Sequence, residues 1–312
     1  MKPAWASALF VVGGLVLLPL PADKNRVCAA AADSPPPQVL IVVGPSLHPP
    51  GTHEVLAGAR VLEYMLEHVE GLPPVATAVV NQWPQDKRLR DHVQTVVFTG
   101  DIFPGETLPN PEAVKADLGA MTARGCGIVC VHYATGLRAQ HVSPDGDHPL
   151  LRWMGGYFAT GCKHHRSVAR VVTATLSPAE VDHPVLRGWK AFTFDDEPYW
   201  NNYFGTDGPA ANVTPLVTTM MPPEAPKKET VVWAIQRPDG GRGLGIVVPH
   251  YFRNWRIADL RTLVLNGICW TAQLEIPANG LHGTLPDLAQ FEPASVEPLP
   301  PPKPKTKTKT AS

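Results

Sequence analysis

This 312-residue chain has little charge, 18% Asp, Glu, Lys and Arg, and almost no net charge, with 27 basic against 28 acidic side chains. No broad basic field exists to hold a nucleic-acid backbone, so nucleic acid is not expected as a partner. Subtracting the +2 of residues 1–26 and the +3 of residues 293–312 from the formal −1 leaves about −6 on the part that folds. Cysteine is scarce: Cys28, Cys126, Cys130, Cys162 and Cys269 show no CxxC pairing, which excludes a disulfide framework and a cysteine zinc knuckle. There is no HExxH spacing and, beyond residue 20, no apolar run long enough to span a bilayer. A hydrophobic fraction of 44% excludes disorder as the whole answer.

What is present first is an end signal. Met1-Lys2 precedes an apolar run from Ala4 to Leu20 and then the small residues Ala29 to Ala32, so residues 1–32 read as a secretory signal peptide. The rival reading is an uncleaved membrane anchor. After cleavage no stable membrane span remains, and export to the periplasm or the exterior is expected. At the other end, residues 283–312 culminate in a Pro, Lys and Thr mixture with almost nothing to bury, and a disordered tail is expected there.

Between the ends, residues 36–282 read as one α/β domain. Short apolar runs at Gln38 to Val43, Val75 to Val80, Gln94 to Thr99 and Cys126 to Val131 alternate with helical spacing over Val55 to Val69 (Leu56, Ala59, Leu62, Leu66, Val69) and over Pro111 to Ala123. Strands apolar on both faces, separated by amphipathic helices, call for a mostly parallel central sheet covered on both sides, a three-layer sandwich. Further strands are expected at Arg166 to Thr175, Trp189 to Phe194, Thr214 to Thr219, Thr230 to Gln236 and Leu244 to Val248, before a closing helix at Asp259 to Ala272.

In open α/β sheets the ligand crevice lies beyond the carboxyl ends of the strands. Here those ends are rich in histidine: His48, His53 and Glu54 follow the first strand, Asp101 the third and His132 the fourth, while His250 follows the last. Between them come His164-His165 and Asp195-Asp196-Glu197 with Tyr199, Trp200 and Tyr203. Taken singly, each is a loop-bonding histidine or a solvated acidic turn; their convergence on strand ends is what points to a site. His132, Glu197 and His250 are the candidates for proton transfer. His48, His53, Glu54, Asp101 and His165 would shape the pocket, and the aromatic faces of Tyr199 and Trp200 would hold a sugar ring. His132, His164 and His250 could also hold a divalent metal such as zinc. Cys130 lies inside an apolar strand, where a thiolate is disfavoured, so a cysteine hydrolase is the weakest reading.

The stretch from Gly44 to Glu54, the strand end Gly127 to His132, Asp182-His-Pro-Val185 with Phe194 to Tyr199, Gly241-Arg-Gly243, and His250 to Trp255 with Leu265 to Trp270 together resemble the trehalose-utilisation (ThuA-like) family. The resemblance spans residues 38–282 and implies a flavodoxin-like domain related to class I glutamine amidotransferases, tied in bacteria to carbohydrate catabolism. It also implies loss of the amidotransferase cysteine, since the elbow position carries His132. Gly161-Cys-Lys-His-His165 departs from the family pattern and leaves open which histidine faces inward. Two functions follow as expectations: an exported enzyme acting on a glycoside, disaccharide or keto-sugar by His/carboxylate or metal-assisted chemistry, or a non-catalytic carbohydrate-binding protein that kept the fold.

Overall fold

The computed structural model describes residues 38–285 and 287–291. The expected signal segment and the Lys/Thr repeat lie outside them. Nine strands form the central sheet: β1 (Val39–Val43), β2 (Thr77–Val80), β3 (Thr95–Thr99), β4 (Gly127–Val131), β5 (Val172–Pro178), β6 (Phe192–Asp196), β7 (Val213–Met221), β8 (Lys227–Gln236) and β9 (Arg242–Ile246). Their spatial order is β6-β5-β7-β8-β9-β4-β3-β1-β2. From β9 to β2 every pairing is parallel, and from β6 to β9 every pairing is antiparallel. Only β5 and β8 therefore run against the rest, and seven of nine strands share one direction. The α/β, flavodoxin-like sandwich with a mostly parallel sheet is what the apolar runs require.

β1, β3 and β4 are buried at every residue because both faces are covered. Helix α1 (Val55–Glu67) lays Ala59, Val61, Leu62, Met65 and Leu66 on the sheet; Leu56, expected in that stripe, is 38% exposed in the first turn. Helix α2 (Pro111–Ala123) starts on Pro111 as the sequence predicts. A six-residue helix, α3 (Pro149–Met154), was not evident in the pattern; it begins on a proline capped by the His148 ring, which accepts from Leu150 N. Helix α4 (Ala258–Thr271) is buried almost all round between the sheet and the chain that follows it.

Two expectations need correction. The single strand read at Arg166 to Thr175 is broken: Val168–Ala169 leaves the sheet to pair with Tyr199–Trp200, and only from Val172 does the chain join β6. The tail does not begin at residue 283. Gly283 pairs with Val69, Leu288 is buried, and the Phe291 ring packs edge-on against Tyr64, so apolar side chains spaced through the polar run anchor it to α1. Among the described residues no helix is long and apolar enough to cross a membrane.

Candidate functional site

The site is assembled at the carboxyl ends of β1, β3, β4, β6 and β9. The loop after β1 delivers His48 and His53, and Asp101 follows β3. β1 and β3 approach so closely here that a Cβ on Gly100 would stand 3.0 Å from the Gly44 backbone, and Gly100 itself has φ +152. Glycine is required to let Asp101 reach the β1 loop. His132 ends β4 with φ 50, the left-handed region that non-glycine residues seldom occupy. This sharp turn lifts its ring out of the strand and into the crevice.

Three imidazoles meet there. His53 Nε2 lies 2.9 Å from both His132 Nε2 and His250 Nδ1, and the last two are 3.1 Å apart. Glu197 Oε2 stands 3.3 Å from His250 Nδ1. The outward nitrogens fix the tautomers. His132 Nδ1 faces the Val247 carbonyl at 2.9 Å, which can only accept, so Nδ1 carries the proton. His53 Nδ1 faces Asp101 Oδ1 at 2.5 Å and donates in the same way. Two bare lone pairs therefore point at one another. A single proton on His250 Nδ1 can satisfy only one of them, and the Tyr199 hydroxyl, 2.9 Å from His132 Nε2, donates to the other.

Burial, reinforced by the neighbouring histidines, pushes His132 well below the usual imidazole range and His250 down to about 3; burial also lowers His53, against the pull of Asp101. All three rings are neutral at pH 7. Burial opposes ionisation of Asp101, but hydrogen bonds from His53, Leu47 N and His48 outweigh it and hold the carboxyl at about 2. Burial raises Glu197, and pushes Tyr199 well above the usual phenol range, which keeps its hydroxyl protonated. Behind the histidines a small cleft of about 40 Å³ is walled by Thr52, Val55, Gly58, Phe252 and Trp255.

Of the residues singled out in sequence, His48, His53, Asp101, His132, Glu197, Tyr199 and His250 come together. His48 stacks on His53 with ring centres 3.6 Å apart and shares Asp101 with it. Glu54 lines the cleft and holds the loop, its Oε1 accepting from Gly51 N at 2.8 Å. Trp200 does not join: in a two-residue strand it faces opposite to Tyr199 and lies 95% buried beneath the Arg170 guanidinium. His164 and His165 do not join either. His164 meets the Tyr157 hydroxyl at 2.8 Å and His165 donates to the Asn201 carbonyl, in a separate cluster around Tyr203. One metal-capable set is accordingly His53, His132, Glu197 and His250, with His53 and Glu197 in place of His164; a second, His48, His53 and Asp101, shares His53 with it. Cys130 is wholly buried within β4 and burial pushes its thiol up, so it offers no nucleophile to the cleft.

Sequence reasoning saw Asp196 only as part of an acidic turn and gave Asn254 no role. Asp196 is fully buried, and burial raises its carboxyl to about 7 against hydrogen bonds from His250 N, Asn254 Nδ2 and Glu197 N. The signal was the period of two in Phe192-Thr-Phe-Asp-Asp196, which places Asp196 on the face of Phe192 and Phe194 and leaves Asp195 to solvent.

Comparison with models of protein families finds no match, and none of the curated proteins matches. Solved structures do. A protein of Bacteroides uniformis ATCC 8492 described as ThuA-like superposes with a TM-score of 0.52 at 14% identity, over 77% of this chain and 94% of that one. The chain has a ThuA-like fold. A cytoplasmic protein of Salmonella typhimurium LT2 gives 0.49 at 13% identity over 75% and 99% of the two chains. A glutamine amidotransferase of Methylobacillus flagellatus gives 0.34 at 10% identity over 67% and 69%. On the ThuA-like fold of this chain the elbow after β4 bears His132, a ring nitrogen where a strained turn can equally present a nucleophile.

Proposed function

We propose that this protein is an exported, metal-dependent enzyme of carbohydrate catabolism, in which His53, His132 and His250 hold a divalent cation such as zinc and Glu197 handles a proton beside it. The observation that carries the reading is the convergence of three neutral imidazole nitrogens within 2.9 to 3.1 Å, two of them with tautomers fixed so that bare lone pairs face one point. A tetrahedral site with zinc–nitrogen bonds of about 2.0–2.1 Å spaces its nitrogens about 3.3 Å apart. The donor set therefore fits with a small outward movement. Asp101 behind His53 and the Val247 carbonyl behind His132 are the partners that orient histidine ligands and raise their basicity.

When bound, such a cation would supply Lewis-acid polarisation of an oxygen on the substrate. Around it the chain's own groups divide the work. Glu197, its carboxyl raised by burial, takes up or returns a proton. The Tyr199 hydroxyl stays protonated and donates. His48, partly exposed and held by Asp101, borders the entrance with Tyr133. A small neutral carbohydrate suits a mouth that carries Asp101, Glu54 and Glu197 and would repel an anion. Both the enzymatic and the binding-only reading used Trp200 as a sugar platform, and Trp200 faces opposite to Tyr199 and is buried beneath Arg170.

The test is elemental analysis of the mature protein purified without chelator, beside a His132→Ala, His250→Ala double variant. One equivalent of transition metal lost in the variant, with turnover on a panel of disaccharides and keto-sugars that a chelator abolishes, is the expected result. Absence of metal, together with failure to take up added zinc, overturns the reading.

A further inference from the structure

The four groups of the site come from two parts of the sheet. His53, His132 and His250 follow β1, β4 and β9, strands of the parallel half, while Glu197 follows β6. β6 is the far edge strand of the antiparallel wing, and in the sheet order β5, β7 and β8 lie between it and β9. Among the described residues no backbone ladder joins the end of β6 to the loop after β9. Two side chains do, Asp196 from β6 and Asn254 from the loop. Asp196 Oδ1 accepts from His250 N at 2.7 Å and from Glu197 N at 2.6 Å, and its Oδ2 accepts from Asn254 Nδ2 at 2.7 Å. Asn254 Nδ2 in turn donates to the Asp195 carbonyl at 2.9 Å, closing the link from the other side.

We infer that Asp196 is a positioning residue: with Asn254 it clamps His250 and Glu197 into one rigid unit and so sets the metal affinity of the site without touching the cation. The inference rests on the metal reading above. Its physical basis is that Asp196 is fully buried and ties the main-chain N–H groups of a ligand and its neighbouring base, so their relative position is fixed through backbone and not through flexible side chains. Partners of this kind behind a metal ligand are worth about 10–100-fold in affinity.

The experiment measures zinc dissociation constants by competition with a chromophoric chelator on the full chain. Asp196→Asn puts an amide donor against either the two N–H groups or the Asn254 amide, and is expected to weaken zinc about 10–100-fold. The exchanged pair Asp196→Asn with Asn254→Asp restores one donor and one acceptor to that contact but sets a carboxylate against the Asp195 carbonyl, and is expected to recover only part of the loss. In a His250→Ala background Asp196→Asn is expected to cost less than about 2-fold further, whereas in a His53→Ala background it keeps its full effect, because the clamp acts through His250. Phe194→Leu, a packing change in the same strand, serves as the stability control and is expected to leave zinc affinity within about 2-fold. Equal zinc affinity in Asp196→Asn and wild type, an equal loss in Phe194→Leu, or an undiminished loss in the His250→Ala background each overturns the role of Asp196 while the metal reading stands. Absence of zinc binding by the wild type overturns the metal reading and this role together.

Discussion

Replacing His250 by Asn should change how stability depends on pH, in a direction that the burial of the ring sets. Burial, with His53 and His48 alongside, holds the folded pKa of His250 at about 3, against about 6.5 in the unfolded chain. Because the folded value is depressed, the unfolded state binds one more proton throughout the interval between them. Stability therefore falls as the pH drops below about 6.5, with a limiting slope of about 1.4 kcal/mol per pH unit, and levels off near the folded value. Between about pH 6 and pH 4 this single ring costs the metal-free wild type about 2 to 3 kcal/mol that the Asn variant does not lose. Urea unfolding in the presence of a chelator, at half-unit steps of pH, gives both curves. The expected result is a pair of curves that converge as the pH falls. Parallel curves would mean that His250 titrates in the folded protein as it does in the unfolded chain, and would refute the burial of its ring against His53 and His132.

Asp101→Asn should lower stability at pH 7 by about 1–2 kcal/mol after solvent screening, and zinc affinity about 10–100-fold. Since the folded Asp101 carboxyl sits at about 2, below its unfolded value, its contribution is present above about pH 4 and lost toward pH 2, so the gap between wild type and variant should close over that window in acid titrations followed by circular dichroism. A gap that stays constant down to about pH 2 would count against the His53–Asp101 pairing. Gly245→Ala should destabilise by about 2–3 kcal/mol in urea, because a Cβ there would stand 2.2 Å from the buried Trp233 ring; a cost below about 0.5 kcal/mol would show that the ring moves aside freely. Cys130→Ala should retain zinc and whatever turnover is found, and the native protein should leave Cys130 unlabelled by iodoacetamide, as read by peptide mass spectrometry; rapid labelling would place the thiol outside the core.

The parallel half of the sheet was legible because its strands are uninterrupted Val, Ile and Cys runs, and burial on both faces leaves no other use for VLIVV or GIVCV. Histidines at the ends of such strands were legible for the same reason: the crevice of an α/β sheet lies there whatever the chain's function. The antiparallel wing was harder. Val168–Ala169 and Val172–Pro178 read as one strand since nothing in RSVARVVTAT marks where the chain turns to meet Tyr199–Trp200. The aromatic pair misled in turn, because adjacent aromatics in a strand face opposite ways and only one of the two can enter the cleft. His164 and His165 follow a strand-like segment too, yet that segment lies outside the central sheet, so its end does not open on the crevice. Asp196 illustrates the opposite error. A carboxylate between two others suggests solvent, and the alternation with Phe192 and Phe194 that sends it inward is plain only when the strand's lower boundary is set at Phe192.

The identity of the residue at the elbow decides what this fold can do. A left-handed backbone at His132 costs on the order of 1–2 kcal/mol for an L-residue, and it is held by what surrounds the ring: Val247 on Nδ1, His53 and Tyr199 on Nε2, and the Tyr199 face stacked 4.5 Å away. A thiol at this position would reach the cleft as a nucleophile and would need a separate base. An imidazole reaches it as a neutral donor whose partner nitrogens on His53 and His250 arrive from two other strand ends. The turn at His132 brings its Nε2 within hydrogen-bonding distance of His53, His250 and the Tyr199 hydroxyl together.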